Sequence, residues 1–175
     1  MHRRFVNLPR KMKGSDRASA APVRSFKYAV WSLASGTVSI LAILALTNAT
    51  GYPLLIGSFG ASAVLLFGSP DSPLAQPRNL LGGHVISALV AVVIVGLGGG
   101  EPWTVALAVG ISIALMYLTH TTHPPGGATA LIGVQGHAAY GYVLAPVLAG
   151  SLILLVVALL ANNIVHHRQY PKHWL

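Results

Sequence analysis

The chain alternates long apolar runs with short clusters of polar, Gly and Pro residues. A helix that crosses about 30 Å of hydrocarbon needs about 20 apolar residues, and four runs meet that length: Tyr28–Thr50, Leu80–Gly98, Pro102–Thr119 and Tyr142–Val165. The third is near the short limit, and the fourth carries Pro146 in its first turns. Two shorter Gly-rich runs, Pro53–Gly68 and Pro124–Gln135, reach only about 18 to 24 Å as helices at about 1.5 Å per residue. Each is expected to be a re-entrant element, a broken helix or a short tilted span. The fold class this predicts is all-α: a polytopic membrane helical bundle with four long spans plus two short Gly-rich broken or re-entrant helices.

Displacing the sequence against itself by 67 residues, without a gap, sets Gly60-Ala61-Ser62-Ala63 on Gly127-Ala128-Thr129-Ala130. Leu81, Gly83, Ile86, Val90 and Ala91 fall on Leu148, Gly150, Ile153, Val157 and Ala158, and Thr37-Val38 falls on Thr104-Val105. The register predicts an internal two-fold repeat, each half being long helix, short Gly-rich segment, long helix.

Composition assigns the solvent. Charged residues are 8% of the chain, against roughly a quarter in a soluble protein, and between Tyr28 and His167 only Asp71, Arg78 and Glu101 are charged. Such a stretch cannot clothe a water-facing surface, so the chain reads as an integral membrane protein. The division expected is a basic cytoplasmic tail over 1–27, a transmembrane domain over 28–167 and a cytoplasmic C-terminal tail over 168–175. The net charge of +8 could suggest nucleic acid. Its basic residues, however, crowd into the first 27 positions without an aromatic platform, so positive-inside anchoring explains them better and no nucleic acid is expected. With no cysteine, thiolate chemistry and Cys-ligated metals are excluded.

Basic residues at both ends place both termini in the cytoplasm and require an even number of crossings. Six crossings put the Asp71–Asn79 loop, with Arg78, on the cytoplasmic side and make the two halves inverted, as in many secondary transporters; four would put that loop outside. Six is the expectation. The membrane expected is the plasma (inner) membrane, or an organellar inner membrane if the Arg- and Ser-bearing tail is a transit peptide.

Chemistry concentrates in Thr119-His120-Thr121-Thr122-His123-Pro124-Pro125-Gly126-Gly127-Ala128-Thr129. Pro124 and Pro125 stop the preceding helix and suit the first positions of a new one. Gly126 and Gly127 would then leave amides uncovered at a positive helix end, an anion-binding arrangement. The repeat gives Ser58, Phe59, Gly60, Ala61 and Ser62 the equivalent positions, so two facing Gly-rich ends would bound one central site. The plainer alternative is a loop at the interface with its histidines wetted by headgroups.

His123-Pro124-Pro125 followed by Gly126-Gly127-Ala128-Thr129-Ala130-Leu131 after a membrane helix resembles the signature of the HPP family of integral membrane proteins, over roughly Lys27 to Val165. The resemblance implies four membrane-spanning helices and an anion carrier, since plastid and cyanobacterial members are implicated in nitrite transport. Some bacterial members carry soluble CBS domains, and this sequence departs from them.

The substrate-binding set expected is therefore His120, His123, Pro124, Pro125, Gly126, Gly127 and Thr129, with Ser58, Gly60 and Ser62 from the first half and His84, which the repeat places opposite Ser151. His84 also suits a packing role near a helix start. His120 and His123, three apart, would share a helix face, but two histidines without a carboxylate make a weak metal site, so neither metal nor cofactor is expected. His137, in a Gly-rich connection, is expected to be exposed. Ser32, Ser35, Gly36, Thr37, Ser39, Gly82-Gly83 and Gly150-Ser151 read as small residues for close packing. No catalytic constellation occurs in the apolar region, so no enzyme is expected. The function expected is a transporter of a small inorganic anion, nitrite or a relative, bound by backbone amides at broken-helix ends. The alternatives are an anion channel, or a metal or proton carrier using the motif histidines, although hard cations want charged oxygens. The partners expected are that anion, membrane lipid and a second copy in a homo-oligomer.

Overall fold

The structure is a computed structural model that describes residues 25–165 and 168–175. The tail up to residue 24, and His166 and His167 at the end of the expected transmembrane domain, lie outside the described residues. Among the described residues every regular element is helical: α1 (Phe26–Thr50), α2 (Gly57–Ala63, continued by a π turn over Val64–Gly68), α3 (Pro77–Gly96), α4 (Pro102–Leu118), α5 (Pro124–Gln135) and α6 (Ala149–Ile164, entered through a π turn over Val143–Leu148). A 3-10 turn, Pro73–Ala75, precedes α3.

Among the described residues three elements are long and apolar enough to cross a membrane, namely α1, α3 and the segment Val143–Ile164, rather than the four expected. The exception is α4, whose 17 residues reach about 26 Å. It stops at Leu118 because His120 takes a left-handed backbone, φ 55°, which ends a helix. Proline sets several other boundaries. Pro77, Pro102 and Pro124 each occupy a first helical turn, where the missing N–H is no loss, so α3 begins three residues before the expected Leu80. Ala145, immediately before Pro146, is driven out of the helical region to φ −136°, ψ 118°, as the proline ring requires of its predecessor. The first short helix starts at Gly57, not Pro53, and residues 51–56 form no regular element.

Contacts along α1 fix the course of α2. The Leu54 amide donates to Thr47 Oγ1 at 3.1 Å near the end of α1, and Ser32 Oγ, near its start, donates to the Phe67 carbonyl at 2.7 Å. Residues 54–67 thus run back beside α1 from Thr47 to Ser32, a descent of about 22 Å. The second short helix is laid along α3. Arg78 Nη2 and Asn79 Nδ2 donate to the Thr119 and Thr122 carbonyls, each at 2.8 Å, while Gly133 abuts Ala91 near the other end. Residues 119–133 climb α3 by about 20 Å.

The loop between α2 and α3 meets the end of the chain. Tyr170 Oη donates to the Ala75 carbonyl at 2.8 Å, the Lys172 amide donates to Gln76 Oε1 at 2.8 Å, and Lys172 Nζ pairs with Asp71 at 3.0 Å. Trp31 Nε1 donates to the Ala161 carbonyl at 3.0 Å, and Arg168 stacks on the Tyr28 ring at 4.7 Å. The start of α1, the end of α6 and the loop carrying Asp71 therefore share one face of the bundle. Two apolar clusters hold the helices together. One gathers Phe59, Leu66, Phe67, Leu80, Leu154 and Tyr170; the other gathers Val90, Ala91, Ala108, Ala130 and Val134. The polar site lies where α2, α3 and α5 meet.

Candidate functional site

Helix α5 packs against α3 because the sequence removes side chains where the two meet. A Cβ on Gly83 would sit 2.5 Å from His123 Cβ, and one on Gly126 would sit 2.8 Å from the Gly83 carbonyl oxygen. The glycines thus let residues 121–126 lie directly on α3. Proline completes the geometry: residues 119–123 leave the helical conformation, and His123 is extended at φ −135°, ψ 104°. Its side chain turns inward and is fully buried.

Five polar side chains meet there, all essentially buried: Ser58 and Ser62 from α2, His84 from α3, His123 ahead of α5 and Thr129 within it. Ser62 Oγ lies 2.7 Å from His84 Nε2 and 2.9 Å from His123 Nε2. His84 Nδ1 lies 2.7 Å from Thr129 Oγ1, which lies 2.8 Å from Ser58 Oγ. His123 Nδ1 lies 2.8 Å from the Leu74 carbonyl oxygen in the 3-10 turn. The two imidazole rings are 4.9 Å apart at 62°, and Phe59 meets His84 edge-on at 5.2 Å.

The proton positions follow from two facts. A carbonyl oxygen only accepts, so His123 Nδ1 carries a hydrogen. Thr129 Oγ1 donates its one hydrogen to Ser58 Oγ, so His84 Nδ1 carries a hydrogen too and donates it to Thr129. With both rings neutral, each Nε2 is an acceptor facing Ser62 Oγ, whose single hydrogen serves one of the two.

The expected site residues are distributed unevenly. The structure joins His84, His123, Ser58, Ser62 and Thr129, buries Pro125 and places Gly126 in the contact with α3. It separates His120, which is exposed on the non-helical segment after α4. The shared helix face expected of His120 and His123 does not exist, because no helix covers both. Pro124 and Gly60 are exposed and Gly127 is half-buried. The amide arrangement also differs from expectation. Pro124 and Pro125 have no N–H, and the Gly126 N–H is taken by the His123 carbonyl at 2.8 Å. Nor do the two short helices face each other end to end. The pairings of Ser58 with Thr129 and of Ser62 with His123 lay α2 and α5 side by side in opposite directions.

Other participants escaped the sequence reading. Leu74 contributes only a carbonyl, which no side-chain pattern can announce. Asn79 holds the Thr122 carbonyl, and Gln76 donates from Nε2 to the Pro70 and Ser72 carbonyls at 3.0 and 2.8 Å; a polar pair at the start of an apolar helix was their available signal. His137 is exposed, as expected. Ser87 and Ser112 are buried hydroxyls without a partner among the described residues.

Comparison with known proteins gives a consistent identity. The family described as HPP, transmembrane region, matches residues 21–171. The chain is 42% identical to one transmembrane protein of Dictyostelium discoideum, covering 97% of this chain and 64% of that one. It is 41% identical to a second from the same organism, covering 97% and 58%. The chain thus spans about six-tenths of the length of these curated relatives. No solved structure matches it.

Proposed function

The chain belongs to the HPP transmembrane family, and from that premise we propose that it is a membrane transporter of a small inorganic anion, nitrite or a close relative, without enzymatic activity. The observation that carries this reading is the buried cluster of His84, Ser62, His123, Thr129 and Ser58 in a membrane domain whose described carboxylates, Asp71 and Glu101, both lie outside the helices. Intramembrane ionisable groups are expensive and mark substrate or ion pathways when they face the interior. Hydroxyl and imidazole hydrogens offer donors to an anion, whereas a hard cation would find no charged oxygen. The binding groups are therefore side chains rather than the helix-end amides.

The organisation that serves this function is two inverted halves. The short helices begin at Gly57 and Pro124, 67 residues apart, the same offset as the sequence repeat. The courses of residues 54–67 and 119–133 along their neighbours support three passes per half, with the Asp71 loop and both chain ends on the cytoplasmic side. A fully buried cluster favours a carrier that must change shape over an open channel.

Uptake of nitrite, nitrate, formate, bicarbonate and chloride into proteoliposomes tests the proposal. We expect saturable uptake of at least one of these anions, reduced at least about tenfold in Ser62→Ala, because losing hydrogen bonds to a charged group costs about 1.5–3 kcal/mol. No uptake above protein-free liposomes, or unchanged uptake in a folded Ser62→Ala, contradicts it.

A further inference from the structure

Residues 168–175 form no regular element and lie across the loop that covers His123. Tyr170 is the one side chain among them that is buried, in the apolar cluster with Leu66, Phe67, Ala75 and Leu80. Lys172 and the three residues after it are exposed. A segment held by one buried ring and a few hydrogen bonds belongs to the parts of a molecule that open at low cost.

The hydrogen bonds of this segment to the loop converge on one turn. Tyr170 Oη donates to the Ala75 carbonyl and the Lys172 amide to Gln76 Oε1, each at 2.8 Å. Gln76 is fully buried and extends the hold, because its Nε2 donates to the Pro70 and Ser72 carbonyls. Between these anchors the Leu74 carbonyl accepts from His123 Nδ1 at 2.8 Å. The turn is thus gripped from outside by residues 170 and 172 and from inside by His123. Pro73 is exposed and Leu74 half-buried, whereas His123 is fully buried, so on this side the turn is the layer between the ring and the molecular surface.

Undocking strips the turn of two donors. The Ala75 carbonyl and Gln76 Oε1 then have no hydrogen-bond partner among the described residues, and buried polar groups in that condition take up water. Water at Ala75 sits one residue from the Leu74 carbonyl and competes with His123 for it.

We propose that residues 168–172 are a latch on the buried histidines. Docked, they clamp the Pro73–Ala75 turn onto His123 and close the cluster from the face they share with the start of α1; undocked, they free the turn to lift and open that face. Control of access holds for whichever solute the cluster binds. The further claim that undocking is a step of transport rests on the anion reading above.

The test uses the full chain in lipid nanodiscs and diethyl pyrocarbonate, with each histidine read by mass spectrometry. Tyr170→Phe/Lys172→Pro removes both bonds to the turn and keeps the buried ring, since phenylalanine lacks the hydroxyl and proline the amide hydrogen. In the folded variant His123 should be modified at least about tenfold faster than in the parent, as losing two hydrogen bonds of ordinary net strength implies. His120 and His137, both exposed, should react alike in the two proteins. If the pair does not fold, Lys172→Pro alone, at an exposed position, carries the same comparison. His123 as protected in the folded variant as in the parent overturns the latch. A second arm joins Asp71→Cys to Lys172→Cys, in place of the 3.0 Å ion pair, with a methanethiosulfonate cross-linker in the otherwise cysteine-free chain. In proteoliposomes the cross-linked protein should lose anion uptake and regain it with reductant. Uptake that persists through cross-linking overturns undocking as a step of transport. No uptake before cross-linking counts against the anion reading, and the labelling of His123 then decides the latch alone.

Discussion

Gly126 and Gly127 are adjacent and chemically identical, yet their surroundings give them opposite tolerances. A Cβ at Gly126 meets the Gly83 carbonyl oxygen at 2.8 Å and Ser87 Oγ at 3.0 Å, both on α3, whereas one at Gly127 meets only Val109 Cγ1 at 3.8 Å. Gly126→Ala should therefore destabilise the fold by about 1–3 kcal/mol through overpacking. Gly127→Ala should be neutral or stabilising, since alanine is the better helix former by about 1 kcal/mol. Thermal unfolding midpoints in detergent separate the two, and the reverse ranking would refute the packing described here. The sequence showed that both glycines matter to the motif but not that one is a packing residue, because which face of α5 meets α3 depends on a helix 40 residues earlier. His84 and His123 were legible as candidate site residues, His84 as an ionisable side chain in an apolar run and His123 as the head of the Pro-Pro-Gly-Gly motif. Their pairing through Ser62 was not, since it joins three separate elements.

At the scale of elements, the two short segments were legible by length and Gly content, and Pro124–Gln135 has the boundaries expected. The third long run, Pro102–Thr119, was legible to within one residue of the end of α4 at Leu118, and its shortness already showed in its length. The C-terminal strap was silent. Tyr170 is buried against the α2–α3 loop, with burial pushing its phenol above its ordinary value, so that it stays protonated and donates to Ala75. Tyr170→Phe should leave that carbonyl unpaired, cost about 1–3 kcal/mol and speed amide hydrogen exchange in the 70–76 loop. Lys172→Ala should cost less than about 1 kcal/mol, because its ion pair with Asp71 is largely exposed and such pairs contribute little. Equal protection of the loop in Tyr170→Phe and the parent would mean the strap does not hold it.

Across the whole molecule, the shared face of the chain end, the start of α1 and the Asp71 loop makes sidedness testable at one position. A cysteine replacing Ser72 should resist an impermeant thiol reagent applied to intact cells and react once the membrane is opened; labelling from outside would rule out three passes per half. The same architecture brings α2 and α5, one from each proposed half, together at the buried histidines, and that junction is where the anion is proposed to bind. Nitrogen magnetic resonance of the histidine rings in bilayers addresses it most directly. Without anion, His123 and His84 should each carry a hydrogen on Nδ1. Adding nitrite at concentrations that support uptake should shift both His84 and His123 while leaving His137 unchanged. Histidine resonances that stay fixed under conditions of measurable uptake would contradict the account.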